Sequence, residues 1–332
     1  MNKIIFLFFL FLFFACKTDP LPELANKEGW TVYDTSNTNL IYNVIRNIRI
    51  DRDYNIWINN FSVVLVKFDS SNSLNYTIPG AGGDPLNYAD HLTIDSYNNK
   101  WVHNFENGLM KFNGDWKTFP PKTDTTYPRN AIRIREDNIG NLWIINNRLY
   151  KYNQQKFELF NYEIINFPKN QLKDFAIDKN NNTIWLITNP IPSLVLFKNN
   201  ELKTYTPDNS GMPNKEYFNI EIDNDGVKWL RSKNELISFD GNVWRVHKPS
   251  YPALENSLNT YIFDIHIDKN NTIWIATDKL GIIKYGQGKW DIINTRNSGL
   301  PSDTVLSITS DQEGNLWIGT NKGLAKYNFN YK

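Results

Sequence analysis

The stretch VLSITSDQEGNLWIGTNKGLAKYN, residues 305–328, decides the fold of this chain. Two short apolar strands flank a turn at 311–314, and a third strand follows a second turn at Gly323. Asp, Asn and Gly favour tight turns because they accept left-handed backbone conformations or bond to nearby backbone groups. Apolar residues at every second position indicate half-buried β-strands. The stretch therefore predicts three antiparallel strands joined by tight turns.

The same unit occurs seven times, and each copy aligns on one tryptophan: Trp57, Trp101, Trp143, Trp185, Trp229, Trp274 and Trp317. Subtraction gives spacings of 44, 42, 42, 44, 45 and 43 residues. An Asp precedes each tryptophan by six residues, or by seven in the fourth repeat: Asp51, Asp95, Asp137, Asp178, Asp223, Asp268 and Asp311. A fourth strand follows the third, so each repeat is predicted to be a four-stranded antiparallel meander.

One such meander has two apolar faces, and radial stacking of neighbouring meanders buries both. We therefore predict an all-β fold, a seven-bladed β-propeller with four-stranded antiparallel blades. The seventh repeat has only three strands, whereas the segment that begins at Trp30 resembles the fourth strands of other repeats. We predict that residues 30–34 complete the last blade, because this closure removes an exposed sheet edge.

The N-terminus predicts export and lipid anchoring. Residues 4–15 form an apolar run too short to span a bilayer but suited to a signal peptide. Cys16, the only cysteine, follows Ala15, and residues 13–16 resemble a bacterial lipobox. We predict a lipoprotein-type signal peptide at 1–15, lipidation of Cys16, a lipid-anchored tether at 16–28 and the propeller at 29–332. The predicted location is the outer membrane, on its periplasmic or cell-surface side; an ordinary cleaved signal with an incidental cysteine is the alternative.

Composition and motifs limit the functions to consider. The formal net charge is +1 and no run of Lys or Arg occurs, so nothing indicates nucleic-acid binding. The sequence has no phosphate-binding loop, dinucleotide fingerprint, nucleophile elbow or His-Glu-x-x-His motif. We therefore predict no cofactor, no metal site and no catalytic residue. Membrane contact is expected through the lipid only, and the chain is expected to be a monomer.

The repeats resemble two-component regulator propeller repeats, whose pattern is roughly D-x-x-G-x-L-W-I-G-T-x-x-G-L-x-x-Y. Residues 311–328 match it almost fully, and the other repeats match in part, often with Asn in place of the turn Gly. The resemblance implies an extracytoplasmic propeller of the kind that hybrid histidine kinases use as sensors, typically of glycans. No kinase sequence follows Lys332, so we expect a stand-alone lipoprotein propeller of a Bacteroidetes-like type.

Candidate binding residues lie where the repeats differ, on the first strands that line a propeller's channel. Counting four residues back from each turn Asp gives a first ring: Asn47, His91, Arg133, Asp174, Asn219, Asp264 and Ser307. Counting two back gives a second ring: Arg49, Thr93, Arg135, Ala176, Glu221, His266 and Thr309. Each ring mixes cations and hydrogen-bonding groups, which is typical of a polar ligand site or of a water-filled channel whose charges neutralise one another.

The loops that enter the first strands form a rim with recurring aromatic residues: Tyr42, Tyr88, Tyr127, Tyr217, Phe218 and Tyr261. Aromatic rings beside amides suit stacking and hydrogen bonding to a sugar or a peptide, although each ring could instead pack over its own blade. The ligand-binding candidates are Tyr42, Tyr88, Tyr127, Tyr261, Asn47, His91, Arg133, Asp174, Asn219 and Asp264.

Three functions remain open from the sequence. We favour a non-enzymatic binding module that holds a glycan or a protein partner at the channel rim. The first alternative is an assembly subunit of an outer-membrane or secretion complex. The second is a metal-dependent lyase-like or lactonase-like propeller enzyme, for which Asp174 and Asp264 would be suitable ligands.

Overall fold

The computed structural model describes residues 27–60, 64–69, 72–79, 92–104, 108–119, 133–146, 148–160, 171–199, 201–233, 235–247 and 260–329. The strands of the N-terminal half are β1 (Trp30–Tyr33), β2 (Asn47–Ile50), β3 (Ile56–Asn60), β4 (Val64–Phe68), β5 (Ser73–Thr77), β6 (Leu92–Ile94), β7 (Lys100–Asn104), β8 (Gly108–Phe112), β9 (Trp116–Thr118), β10 (Arg133–Glu136), β11 (Leu142–Ile145), β12 (Leu149–Tyr152) and β13 (Phe157–Phe160).

The remaining elements are β14 (Gln171–Asp178), β15 (Thr183–Asn189), β16 (Ser193–Lys198), β17 (Glu201–Tyr205), the one-turn helix α1 (Pro207–Ser210), β18 (Asn219–Ile222), β19 (Lys228–Arg231), β20 (Leu236–Phe239), β21 (Trp244–His247), β22 (Ile262–Ile267), β23 (Ile273–Thr277), β24 (Ile282–Gly286), β25 (Lys289–Ile293), β26 (Val305–Ser310), β27 (Leu316–Thr320) and β28 (Gly323–Tyr327). Within the described ranges, no helix has the length and apolar character needed to cross a bilayer.

These strands form seven four-stranded antiparallel sheets, which are the predicted blades. Blades 1 to 6 each use four consecutive strands, beginning with β2, β6, β10, β14, β18 and β22. Blade 7 has the order β1-β28-β27-β26, so its outermost strand comes from the N-terminus. The predicted seven-bladed fold is confirmed.

The N-terminal strand closes the ring as predicted. Strand β1 pairs antiparallel with β28, with Trp30 opposite Tyr327, and the two rings stack at 4.6 Å. The chain then passes close to β27, where the Ile45 N–H donates to the Thr320 carbonyl at 2.8 Å. A Cβ on Gly319 would lie 2.4 Å from the Ile45 carbonyl oxygen, so this crossing requires glycine. The sheet edge of blade 7 is therefore covered.

The hydrophobic cores lie between blades, and each contains the repeat tryptophan of one blade and apolar residues of the next. Trp143 of blade 3, for example, packs with Leu172 and Ile177 of blade 4. Trp101 and Trp274 are at most 1% exposed. Removal of such a side chain typically costs about 3–5 kcal/mol. The repeat tryptophans therefore pack between blades.

The turn aspartates have a second contact that the sequence reasoning missed. Asp137 accepts the N–H of Asn141 at 2.8 Å, which is the expected turn bond, and its other oxygen accepts the indole N–H of Trp143 at 2.9 Å. The same indole bond occurs in every blade except blade 4. There the turn is one residue longer, and Trp185 donates to Thr183 instead. The constant six-residue spacing was the signal for this bond.

Hydrogen bonds also join the turns of neighbouring blades at one end of the channel, which we name the turn face: the end where first strands turn into second strands. The contacts are Asn98 with Asp53, Ser96 with Glu136, Asn138 with Asn182, Asn180 with Asn224, Asn224 with Asn271, Lys269 with Gln312, and Tyr54 with Gln312. They span all seven blade interfaces and hold the turns in a fixed circle. We name the opposite end, where loops enter the first strands, the loop face.

Candidate functional site

The turn face opens into a cavity of about 590 Å³ along the propeller axis. All seven residues of the second ring line it: Arg49, Thr93, Arg135, Ala176, Glu221, His266 and Thr309. Each comes from the first strand of a different blade, two residues before the turn Asp. The alternation of a half-buried strand directs these side chains to the axis while their apolar neighbours pack between blades. The cavity is therefore built by the sequence differences between the repeats.

One side of the cavity is a network of paired charges. Arg135 of blade 3 donates to both carboxylate oxygens of Glu221 in blade 5, at 3.0 and 2.7 Å. This pair spans blade 4, whose residue at the same ring position is Ala176. A small side chain at that position leaves space for the long arginine to reach across. The charges of Arg135 and Glu221 thus satisfy each other.

Asp174 lies next to Arg133 and Arg135. It is fully buried and accepts the Nε–H of Arg133 at 3.1 Å, while Arg135 lies 3.7 Å away. It also accepts the backbone N–H of Ile220 in blade 5 at 3.2 Å. Arg133, Arg135, Asp174 and Glu221 together form what we call the paired half of the cavity.

Three residues of the first ring hold neighbouring inner strands together. Asp264 accepts the Ile308 N–H of the next blade at 3.2 Å, as Asp174 does with Ile220, and the Ser307 hydroxyl accepts the Ile48 N–H at 3.4 Å. In each case a register shift on the first strand falls immediately before the residue. A bulge of this kind re-aims the following side chain. These side chains therefore connect blades.

The polar groups on the other side of the cavity form fewer hydrogen bonds within the protein. The Arg49 guanidinium donates from Nη1 to the Ile48 carbonyl at 2.7 Å and forms no ion pair within the described ranges. The Thr309 hydroxyl has no hydrogen-bond partner among those residues. His266 shares a hydrogen bond from Nε2 with Ser310 at 2.8 Å, which leaves Nδ1 for another group. Arg49, Thr309 and His266 form what we call the open half.

The pKa values differ between the two halves. Burial alone would lower the pKa of Arg135, but the charges of Glu221 and Asp174 outweigh it and the net pKa is raised. Burial lowers the pKa of Arg49, and attraction to Asp264 offsets only part of this effect. Burial lowers the pKa of His266 to about 4, so the ring is neutral at pH 7. The paired half therefore stabilises the charged form of Arg135, whereas burial in the open half disfavours the charged form of Arg49.

The predicted site residues are divided between two ends of the channel. Arg133, Asn219 and Asp264 line the cavity, whereas Asp174 is fully buried and contacts Arg133. Asn47 begins β2 on the loop-face side and does not line the cavity. Tyr88, Tyr127, His91 and Cys16 lie outside the described residues. The structure thus brings the first-ring candidates towards the cavity but does not bring the described rim tyrosines to it.

Those tyrosines lie on the loop face. Tyr42 is 43% exposed and Tyr261 is 62% exposed, and Tyr261 lies beside Phe263 with ring centroids 6.2 Å apart. Tyr217, in contrast, is fully buried and donates its hydroxyl to the Pro213 carbonyl at 2.7 Å. Tyr217 therefore belongs to the core, whereas Tyr42 and Tyr261 form part of an exposed surface.

Two of the loops on this face share one hydrogen-bonding scheme. The Thr35 N–H donates to Asn43 at 2.8 Å, and the Thr295 N–H donates to Asp303 at 2.7 Å, eight residues later in both cases. Each loop is therefore closed by a hydrogen bond between its own residues.

The strongest charge pair of the cavity was absent from the candidates chosen by sequence. Arg135 and Glu221 were assigned to the second ring, but nothing in the repeat pattern indicated that they pair. The available signal was a small residue, Ala176, at the ring position between two opposite charges. Within the described part of the chain, no group of three or more His, Cys, Asp or Glu side chains is arranged to hold a metal ion.

Comparison with known proteins identifies the class. Residues 256–279 and 299–322 match the family described as "Two component regulator propeller". These segments contain the repeats of Trp274 and Trp317, so the predicted resemblance to two-component regulator propeller repeats is confirmed in these two repeats. No curated protein matches the sequence.

Solved structures share the fold at low identity. The extracellular domain of the putative hybrid two component system BT3049 from B. thetaiotaomicron has 18% identity and a TM-score of 0.68, over 90% of this chain and 42% of that one. Virginiamycin B lyase from Staphylococcus aureus has 14% identity and a TM-score of 0.69, over 90% and 98%. PorZ, a surface component of the type-IX secretion system of Porphyromonas gingivalis, has 17% identity and a TM-score of 0.65, over 86% and 46%. This chain spans less than half of the BT3049 domain, and these likenesses show the fold alone.

Proposed function

We propose that this protein is a non-enzymatic, exported binding propeller that holds a sugar in its turn-face cavity. The observation that carries the proposal is the cavity of about 590 Å³ lined by all seven second-ring side chains. Ligand sites commonly have volumes of about 300–1,000 Å³ and a few convergent polar groups. Sugars present hydroxyl groups that both donate and accept, and the lining offers the donors Arg49 and Thr309 and the ring nitrogen Nδ1 of His266.

The likeness to extracellular domains of two-component systems supports an exported binding role, since such a domain meets ligands outside the cytoplasm. The finer location rests on Cys16 and the apolar run before it. We propose that Cys16 carries a lipid and that the propeller is attached to the outer membrane. Incorporation of a labelled fatty acid into the wild-type chain, and its loss in Cys16→Ala, is the expected result. Labelling that persists in Cys16→Ala would contradict the anchor.

Filling the cavity tests the binding proposal. Thr309→Trp places a large side chain in the cavity wall, whereas Thr31→Trp makes the same change at an exposed position of the outer strand β1. A panel of neutral and acidic sugars is titrated calorimetrically into each purified chain. We expect the wild type and Thr31→Trp to bind the same sugar and Thr309→Trp to lose binding while keeping its β-sheet circular dichroism. Equal affinity in all three would place the site outside the cavity.

A protein partner at the loop face is a second candidate, because four exposed apolar side chains occur there. They are Ile41, Tyr42, Tyr261 and Phe263, which are 44%, 43%, 62% and 42% exposed. Contiguous exposed apolar groups mark interaction surfaces, and Tyr261 and Phe263 are neighbours. This candidate predicts that chemical crosslinking in native membranes yields a defined complex that Tyr261→Ser with Phe263→Ser abolishes. An unchanged complex in this double variant would reject the loop face as the docking surface. The metal-dependent enzyme stays a prediction, which metal analysis of the purified chain can test.

A further inference from the structure

Arg49 differs from the other arginines of the cavity in having no carboxylate partner. Arg133 pairs with Asp174 and Arg135 with Glu221, whereas within the described ranges Arg49 contacts only a backbone carbonyl. An arginine has five N–H donors in a rigid fork, and one bond from Nη1 leaves most of that fork unused. The guanidinium lines the cavity. A molecule bound in the cavity can therefore accept hydrogen bonds from the unused N–H groups of Arg49.

The groups beside Arg49 are suited to the same acceptor. The second-ring neighbour in blade 7 is Thr309, and the next position, in blade 6, is His266. The adjacency of blades 1 and 7 is fixed by the Ile48 N–H bond to Ser307. The Thr309 hydroxyl and Nδ1 of His266 are both uncommitted among the described residues. The open half therefore presents a charged fork and two further polar groups from three consecutive blades.

The carboxylates around the cavity do not compensate Arg49, because each already accepts other donors. Asp264, whose charge attracts Arg49, accepts the N–H groups of Ile265 and Ile308 and the Ser307 hydroxyl. Glu221 accepts both donors of Arg135.

The acidic groups at the mouth are engaged in the same way. Asp137 and Asp223 bind indole and turn N–H groups, and Glu136 binds the Ser96 N–H. Asp178 accepts the N–H of Asn180. These carboxylates still oppose a ligand with high negative charge. Lys179 also lines the cavity, but its side chain is exposed to solvent. Within the described ranges, one buried arginine without a carboxylate partner, among engaged carboxylates, matches one negative charge better than two.

On these grounds, and on the basis of the binding function proposed above, we infer that the sugar bound in the cavity carries a carboxylate, which forms a forked ion pair with the Arg49 guanidinium. The ligand class is a sugar acid such as a hexuronic acid. Arg–carboxylate pairs are often bidentate, which fixes the orientation of the ligand as well as adding affinity. Thr309 and His266 then lie beside the carboxylate or the adjacent ring hydroxyl. A phosphorylated sugar, with close to two negative charges, fits this half less well.

Matched sugars that differ only in the carboxylate test the inference. D-galacturonate and D-galactose, and D-glucuronate and D-glucose, are titrated calorimetrically into the purified wild-type chain and into Arg49→Gln. Arg52→Gln, three residues away at an exposed turn position, is the control for loss of one positive charge. We expect at least one uronate to bind about tenfold or more tighter than its neutral partner, and Arg49→Gln to remove that preference. Arg52→Gln should leave it unchanged.

The outcomes separate this inference from the function on which it rests. If a neutral sugar binds as tightly as its uronate and Arg49→Gln has no effect, the carboxylate assignment is wrong while the sugar-binding proposal stands. If neither member of either pair binds at millimolar concentration, both are contradicted. A sugar phosphate that outcompetes the uronate would reject the single-charge argument. Arg49→Lys retains the charge without the fork, so a preference fully kept by lysine would reject a bidentate contact.

Discussion

The two halves of the cavity use the same kinds of side chain for different purposes. In the paired half, Arg133 and Arg135 contact Asp174 and Glu221 directly, at distances from 2.7 to 3.7 Å. In the open half, Arg49 has a lowered pKa because burial removes water without supplying a carboxylate. A charged residue that faces the channel is therefore not by itself a sign of a binding site.

The comparison shows that the hydrogen bonds and ion pairs of a charged side chain decide its role. A side chain whose donors or acceptors are already bonded within the protein stabilises the fold, whereas one with unused donors is available to a ligand. Asp174 is fully buried, and its oxygens accept donors from three blades. It therefore joins inner strands and neutralises two arginines. Within the described part of the chain, Arg49 joins no blades through a side-chain pair. If this distinction is correct, substitutions in the paired half should affect folding and those in the open half should affect binding.

The largest effect is expected for Asp174→Ala. The substitution leaves Arg133 and Arg135 without this carboxylate and removes the acceptor of the Ile220 N–H, and breaking such a buried pair costs about 3–5 kcal/mol. Urea unfolding monitored by tryptophan fluorescence measures the loss. Asp174→Asn retains the shape and one carbonyl oxygen and should lose less. A loss below about 1 kcal/mol for Asp174→Ala would remove the structural role assigned to the paired half.

The next effect is a pH dependence that His266 confers. Its pKa is about 4 in the folded chain against 6.5 as the ordinary value. Below pH 6.5 the unfolded chain takes up a proton that the folded chain does not, so the free energy of unfolding falls as pH decreases from about 6.5 towards 4. The contribution is on the order of 3 kcal/mol. Unfolding of the wild type and His266→Gln across this range should converge at low pH; parallel curves would show that His266 is not buried as a neutral ring.

A smaller effect is expected for Glu221→Gln. The Arg135 and Glu221 side chains are 25% and 27% exposed, so water screens their attraction in part. We expect a loss of about 1 kcal/mol in the free energy of unfolding, smaller than the loss for Asp174→Ala. The same urea titration measures it. Equal losses for the two variants would mean that the fully buried Asp174 and the partly exposed Glu221 stabilise the fold equally, despite their different burial.

The smallest effect on folding is expected for Arg49→Gln. Because the folded chain already disfavours this charge, its removal should change the free energy of unfolding by less than about 0.5 kcal/mol or increase it. Urea unfolding is again the measurement, with Arg52→Gln as the exposed control. A loss of about 2 kcal/mol or more would indicate that Arg49 has a structural partner and belongs with the paired half.

The architecture could be predicted from the sequence because each repeat carries the same local sequence pattern of strands and turns. The turn Asp, the tryptophan six residues later and the alternating apolar strands predicted seven blades, and Trp30 predicted their closure. The longer turn before Trp185 was visible in the spacing, but its result, a bond to Thr183, was not. Local patterns fix strands and turns, whereas hydrogen-bond partners depend on where the side chains come to lie.

In the candidate site, the sequence predicted only those side chains whose orientation follows from the two-residue alternation of a β-strand. Counting back from each turn Asp assigned the second ring to the channel, and those residues line the cavity. The same counting placed Asp174 and Asp264 among ligand-binding candidates. Register shifts before these residues direct their oxygens to backbone N–H groups of the next blade, and no sequence rule used here predicts such a shift.

By itself, the sequence determined the number of blades, the strand that closes them and the residues that face the axis, because these follow from periodicity and from turn chemistry within some forty residues. Only the tertiary structure decided which charges meet. Arg135 reaches Glu221 across an intervening blade, 86 residues along the chain, because Ala176 leaves room. Among the residues that the structure describes, Arg49 has no such partner. Pairing across an intervening blade depends on the packing of blades 3, 4 and 5 around the channel, since this packing brings residues from different repeats within hydrogen-bond distance.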